Sequence, residues 1–216
     1  RARTFRDSSP KRVVEALENS LRRLRIDSIP LYQIHWPDLT VPIVDTIEAL
    51  VDCQKQGKLR HIGCSNFTGQ LLSEANRITQ MTSLSVPYNL GDRSIEDSII
   101  ECCRKSGTAV LAYGPLSRGI FAGKYDKVNS FTEHAGPEEY HGDDIELHLR
   151  IADRLKETGL RYGKAPAQVA LRWVLENPSI STAIVGLTKA WQVDDIIGAL
   201  GWNLTQEDLG YLHNDA

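Results

Sequence analysis

Leu31-Tyr32-Gln33-Ile34-His35-Trp36-Pro37-Asp38 is a short apolar run that passes into a polar turn with one histidine at the seam. Upstream, Pro10 to Leu24 places Val13, Val14, Leu17, Leu21 and Leu24 on one stripe, the pattern of an amphipathic helix. Ser8-Ser9-Pro10 offers it a hydroxyl cap and a proline for its first turn. Asp27-Ser28 is a short connection, so the segment reads as helix, strand over Ser28 to Ile34, then loop. Polar residues just beyond a strand stand where α/β barrels carry their catalytic groups. An imidazole there is a proton shuttle or polar ligand, or else a side chain hydrogen-bonded to a loop carbonyl; the stretch alone leaves both open.

The alternation continues downstream. A helix is expected over Pro42 to Gln56, ended by Gly57 as C-cap, then a strand over Leu59 to Gly63 and the polar turn Cys64-Ser65-Asn66-Phe67. Thr68 to Ile78 reads as helix, Leu84 to Tyr88 as strand, and Ser94 to Lys105 as a helix with Ser94 for its cap. The strand Thr108 to Ala112 ends in the loop Tyr113 to Gly119. Lys124 to Asp144 is a long charged excursion, of the kind that is functional or disordered in compact domains. Helices over Ile145 to Glu157 and Ala165 to Glu176, the strand Thr182 to Val185, a helix ending near Ala199 and a last helix over Thr205 to Leu212 complete the chain. Short apolar strands separated by amphipathic helices imply βαβ units and a parallel sheet. No GxGxxG follows the first strand, which counts against an open dinucleotide-binding sheet.

With 216 residues, 41% of them hydrophobic, and no linker between periodic segments, a single domain over residues 1–216 is expected. Net charge is −3 with basic residues scattered among acidic ones, so nucleic acid and anionic membrane are poor partners. No run approaches the roughly 18 apolar residues of a membrane span, and the amino end lacks the apolar core of a signal peptide, so a cytoplasmic protein is expected. Cys53, Cys64, Cys102 and Cys103 have no metal-binding spacing and read as reduced packing thiols; no metal ligand is expected. Because the chain starts at Arg1 without methionine, at the door of a helix, a preceding segment is expected.

Each polar cluster follows a strand: His35-Trp36, Ser65-Asn66, Tyr88-Asn89, Tyr113 to Gly119, and Gly186 to Lys189. Ser65 and Asn66 suit a carboxamide or hydroxyl ligand, or equally a turn or cap for the next helix. Gly114, Ser117, Arg118 and Gly119 offer amides, a hydroxyl and a cation, while Gly186-Leu187-Thr188-Lys189 opens a helix with amides and a lysine. Two successive loops of this sort suggest a ligand with more than one phosphate. Tyr113 can stack on a flat ring, or serve as an ordinary core aromatic.

These motifs taken together, His-Trp-Pro-Asp at 35–38, Ile62-Gly63-Cys64-Ser65-Asn66-Phe67, Tyr88-Asn89 with Arg93, Tyr113-Gly114-Pro115-Leu116-Ser117-Arg118-Gly119, and Ile184-Val185-Gly186 before a Gln192-bearing helix, resemble the aldo-keto reductases through essentially the whole chain. The resemblance implies an α/β fold, part of a (β/α)8 TIM barrel with about five parallel strands and the first strands absent. It implies NADPH/NADP+ as cofactor, and reduction of a small-molecule carbonyl substrate, aldehyde or ketone, without metal. His35 then matches the catalytic histidine, Ser65 and Asn66 the residues that hold the nicotinamide amide, and Tyr113 the aromatic stacked on the nicotinamide. Gly114, Pro115, Leu116, Ser117, Arg118 and Gly119 fall in the pyrophosphate loop, and Gly186, Leu187, Thr188, Lys189 and Gln192 where the adenosine phosphate and adenine bind. Trp36 is the candidate for the substrate pocket.

Two departures accompany the resemblance. Ser85 stands where family members have a glutamine that binds the carboxamide, and Ile196 lies near their adenine-binding asparagine, which implies weaker cofactor binding. The family's catalytic aspartate, tyrosine and lysine precede the His-Trp-Pro-Asp strand, and only 34 residues precede His35, so the 216 residues alone are expected to be inactive. Five strands of a barrel wall leave edges near Leu31 and Ile184, so a homo-oligomer or swapped dimer is expected. The competing readings are a non-catalytic nucleotide-binding or regulatory subunit and, third, a phosphate-binding barrel isomerase or lyase.

Overall fold

The computed structural model of the chain describes residues 6–125 and 142–213. Two compact units divide it, residues 1–86 with 95–111, and residues 87–94 with 112–216.

The first unit is built of α1 (Pro10–Leu24), β1 (Ile29–Ile34), α2 (Ile43–Lys55), β2 (Leu59–Ser65), α3 (Gly69–Ile78), β3 (Ser83–Pro87), whose last residue opens the second unit, and α4 (Ile99–Ser106). β1 pairs with β2 in parallel, Gln33 opposite Gly63, and β2 pairs with β3 in parallel, Ser65 opposite Ser85. Leu17, Ile47, Leu50, Ile62 and Leu72 are fully buried, which supplies the unit's core at roughly 1.5–3 kcal/mol for each aliphatic side chain removed from water. Among the described residues β1 has a strand on one side only, and a cavity of about 500 Å³ bordered by Arg6, Tyr32, Gln33, His35 and Trp36 lies beside it.

β4 (Ala109–Tyr113) begins in the first unit and ends in the second. The second unit continues with a 3-10 turn over Ser117–Ala122, α5 (Gly142–Tyr162), α6 (Pro166–Glu176), β5 (Ile180–Ile184), α7 (Trp191–Ile197) and α8 (Gln206–His213). Its core includes Phe121, Leu155, Val169, Val174 and Leu212. Gly91 is required for packing: a Cβ there would lie 2.2 Å from Nε2 of His148, whose ring stacks on Phe121.

Several sequence expectations change for local reasons. Ser9 occupies the N-cap of α1 without a side-chain cap bond; instead its own amide donates to Asp7 Oδ1 and the preceding Ser8 amide to Asp38 Oδ2. β2 runs to Ser65, so Cys64 and Ser65 belong to the strand and the turn starts at Asn66, in the left-handed region at φ 61°. Ser94 does not cap α4, which starts five residues later. The Asp92 carboxylate takes both the Ser94 hydroxyl (2.7 Å) and its amide (3.3 Å), closing a turn in place of a helix start. α5 runs beyond the expected end at Glu157 to Tyr162, and Gly159 within it marks a close approach: a Cβ there would sit 2.3 Å from the Lys164 carbonyl. Of the expected excursion over Lys124 to Asp144, residues 126–141 lie outside the described residues, and the backbone of 142–144 is already helical.

Cys53, Cys64 and Cys103 are buried thiols, and burial pushes Cys103 up to about 12. Among the described residues no helix is long and apolar enough to cross a membrane, and no group of three or more His, Cys, Asp or Glu side chains could hold a metal ion.

Candidate active site

In the first unit, the ends of three parallel strands are laced together by side chains. Asn66 Nδ2 donates to the carbonyl of His35 at 2.9 Å and to Ser65 Oγ at 3.1 Å. Ser65 Oγ in turn donates to the carbonyl of Ser85 at 3.2 Å, and the Asn66 amide reaches the same carbonyl at 2.9 Å. Asn66 can take its left-handed backbone at small cost because its short polar side chain hydrogen-bonds locally. Neither Ser65 nor Asn66 caps α3. Thr68 does so, its Oγ1 accepting from the Leu71 amide at 3.3 Å, which removes the cap reading for the pair.

His35 enters this network through its backbone carbonyl, and its imidazole stands exposed just past β1. Trp36 is 42% exposed, with the Arg6 guanidinium 4.5 Å from its ring centroid. Asp38 closes the turn by accepting from the hydroxyl and amide of Thr40 and from the Ser8 amide, and those bonds hold its carboxyl below the usual range. Sequence reasoning missed Gln33. Its Nε2 donates to Ser85 Oγ at 3.0 Å and lies 3.3 Å from both Ser83 Oγ and the Cys64 carbonyl. A polar side chain inside a strand was the available signal, but nothing local marks its partner.

In the second unit, Tyr113 ends β4 half-buried; burial, with Asp92 adding to it, raises its phenol above the ordinary range. Its carbonyl accepts from the Tyr88 amide at 3.1 Å, and the next carbonyl, of Gly114, accepts from Asn89 Nδ2 at 3.1 Å. Gly114 has φ +67° with open space where a Cβ would lie. Pro115 is buried and Leu116 half-buried, and then Ser117, Arg118 and Gly119 adopt φ of 44°, 53° and 96° in succession. Left-handed backbone costs an L-residue roughly 1–2 kcal/mol, so two non-glycine residues in a row are a strained turn of the type that gathers at ligand-binding sites. The amides in this loop are less available than expected: Ser117 N is given to the Gly114 carbonyl (3.1 Å) and Gly119 N to that of Leu116 (2.9 Å). Ser117 is buried, whereas Arg118 is exposed.

After β5, Gly186 is exposed with open space at its Cα, Leu187 is half-buried, and Thr188 and Lys189 are exposed. Gln192 folds back over this loop, its Oε1 accepting from the amides of Thr188 (2.8 Å) and Lys189 (2.9 Å). It thereby occupies with a neutral oxygen the donors that the sequence assigned to a phosphate. The donor set in this unit, two exposed cations beside glycine-opened turns, fits an anionic ligand; the carbonyl and hydroxyl groups at the strand ends of the first unit fit a neutral amide.

A family model described as the aldo/keto reductase family matches residues 4–214. Aldo-keto reductase YhdN of Bacillus subtilis (strain 168) is 34% identical over 219 residues, covering 94% of this chain and 63% of the relative. The probable aldo-keto reductase 1 of Glycine max is 31% identical, covering 94% and 59%. The chain thus spans less than two thirds of the length of these curated relatives. Among solved structures, a glycerol dehydrogenase from Gluconobacter oxydans superposes with a TM-score of 0.88 at 33% identity, over 96% of this chain and 64% of that one. A thermostable aldo-keto reductase in complex with the inhibitor epalrestat superposes with a TM-score of 0.78 at 26% identity. The expected α/β architecture, part of a barrel, is borne out by these superpositions. A match extending over nearly every residue, with solved structures of the same kind superposing along the chain, places it in the aldo/keto reductase family.

Proposed function

We propose that this chain carries the cofactor-holding and carbonyl-orienting groups of an NADPH-dependent reductase of aldehydes or ketones. The ring of hydrogen bonds joining His35, Asn66, Ser65 and Ser85 supports this most directly, because it presents amide and hydroxyl groups at strand ends beside an exposed imidazole. Ser65, Asn66 and Ser85 would hold the carboxamide of the nicotinamide, and Tyr113 would face its ring. Leu116, Ser117 and Arg118 would take the pyrophosphate, and Thr188, Lys189 and Gln192 the adenosine end. When bound, the cofactor supplies hydride to the carbonyl carbon.

Within the chain, His35 is the group to donate a hydrogen bond to the carbonyl oxygen and orient it, and Trp36 supplies an apolar wall beside it. An anion arriving at Thr188 and Lys189 must displace Gln192 Oε1 from their amides, and the Lys189 ammonium favours that exchange. No proton donor to the carbonyl oxygen is assigned inside the chain, so binding is expected without efficient turnover. We further propose that the one-sided β1 edge pairs with a second copy, giving a dimer or larger species in sedimentation at micromolar concentration. A monomer at every concentration overturns that pairing.

Titrating the chain with NADPH, followed by quenching of tryptophan fluorescence, tests the main reading. Saturable binding that weakens about tenfold in Asn66→Ala is expected, from the loss of hydrogen bonds worth about 1 kcal/mol each. A parent chain that shows no saturable binding overturns it.

A further inference from the structure

Two rows of side chains cross the three strands of the first unit. Successive residues of a strand point to opposite faces, so Gly63 shares a face with Ser65, and Ser83 with Ser85. The register sets Gln33 opposite Gly63 and Ser65 opposite Ser85. The Ser65 and Ser85 row, with His35 just past the end of β1, is the one assigned above to ligand, and the Gln33, Gly63 and Ser83 row lies one step before it.

The lower row works only because its middle member has no side chain. A Cβ on Gly63 would fall 2.5 Å from Ser83 Oγ and 3.0 Å from Gln33 Cγ. With that space vacant, the Gln33 amide passes over β2 and reaches β3. Its nitrogen lies 3.3 Å from the Cys64 carbonyl, an atom that can only accept, which fixes which end of the amide faces the strands. Toward Ser85 Oγ, 3.0 Å away, the amide is therefore the donor and the hydroxyl the acceptor. Ser85 Oγ keeps its own proton for a second partner. The Ser85 carbonyl is meanwhile held by Ser65 Oγ and the Asn66 amide, so both the backbone and the side chain of this one residue are held.

We propose that Gln33, reaching over Gly63, is a positioning residue that directs the Ser85 hydroxyl proton toward the oxygen of a ligand carboxamide. This rests on the reading of Ser65, Asn66 and Ser85 as the nicotinamide site. It assigns to Gln33 a function in recognising the nicotinamide half of the cofactor while never touching it, and it makes Gly63 a requirement of that site. The effect is confined to the carboxamide, because the groups assigned to phosphate lie in other loops.

The experiment compares NADPH with 2′,5′-ADP, which lacks the nicotinamide, as ligands of the 216-residue chain and its variants. In Gln33→Met, a side chain of similar length without a donor, NADPH affinity is expected to fall about tenfold while 2′,5′-ADP affinity stays unchanged. Ser85→Ala should show the same loss, and Gln33→Met added to Ser85→Ala should cost nothing further, since a residue acting through Ser85 has nothing left to act on. Additive losses in the double variant overturn the proposal, as does equal weakening of both ligands, which marks a purely structural residue. Unchanged NADPH affinity in Gln33→Met also overturns it. A parent chain that binds 2′,5′-ADP and NADPH equally well sinks the nicotinamide assignment itself, and one that binds neither sinks the proposed function.

Discussion

The strand ends of the first unit and the loops of the second solve the problem of a polar surface in opposite ways. Around His35 the side chains of Ser65, Asn66, Gln33 and Ser85 satisfy one another and the strand carbonyls, and the main chain departs from ordinary geometry at Asn66 alone. Around Arg118 the main chain does the shaping: Ser117, Arg118 and Gly119 are all left-handed, and the turn is closed by backbone bonds to Gly114 and Leu116. Side-chain networks distinguish donors from acceptors and suit a neutral group, whereas a strained turn carrying a cation distinguishes charge. The two regions should therefore fail separately when mutated.

The largest effect expected is on turnover. Positioned acid catalysis contributes roughly 10²–10⁴-fold, and neither region offers an assigned acid, so NADPH consumption by the 216-residue chain with aromatic and aliphatic aldehydes should fall short of ordinary enzymes by at least that range. His35→Ala should lower any residual rate further. Turnover at ordinary rates, from material whose mass verifies Arg1 as its first residue, would reveal an acid in one of the two regions.

Next in size is a stability effect restricted to the second unit. Asp208 is buried; burial alone would raise its pKa, but hydrogen bonds from Tyr162, Thr205 and Arg161 outweigh that and hold it at about 2 against an ordinary 3.8. A depressed carboxyl contributes stability above its ordinary pKa and loses it as pH falls through the folded value, here between about pH 4 and 2. Asp208→Asn should cost about 2 kcal/mol at neutral pH and almost nothing near pH 2, read by urea unfolding with Trp202, 4.9 Å from Tyr162, as the local probe. An unchanged pH profile would show that the unit does not depend on this carboxylate.

The smallest effect bears on charge discrimination. Lys189→Glu should remove a preference for NADPH over NADH of about tenfold, with nicotinamide mononucleotide affinity unchanged. Loss of mononucleotide binding in that variant would merge the two regions into one coupled site and break the comparison.

What the sequence revealed depended on how local the physics was. The stripe from Val13 to Leu24 marks α1 to the residue, and Thr68 before an apolar run marks the start of α3. Ser94 misleads because a serine followed by acidic residues looks like a cap, while the decisive partner, Asp92, lies behind it. The helix that runs past the expected end at Glu157 holds Gly159, whose missing side chain makes room for the Lys164 carbonyl, a contact the local sequence does not mark. The polar clusters after strands are legible because strand ends in α/β folds share a face. The contribution of Gln33 is not, since it depends on register across three strands and on an empty position in the middle one.

The lacing of the strand ends also bears on how the site comes into being. Its bonds join residues 20, 31 and 52 positions apart, whereas a helix such as α1 forms from contacts four positions apart. Closing loops of that length precedes any gain from the contacts, so the network belongs to a later part of folding than the helices. Changes at Gln33 or Ser85 should accordingly quicken unfolding and leave the folding rate nearly untouched. A chain caught short of its native state would then have most of its helices and none of its recognition groups in place.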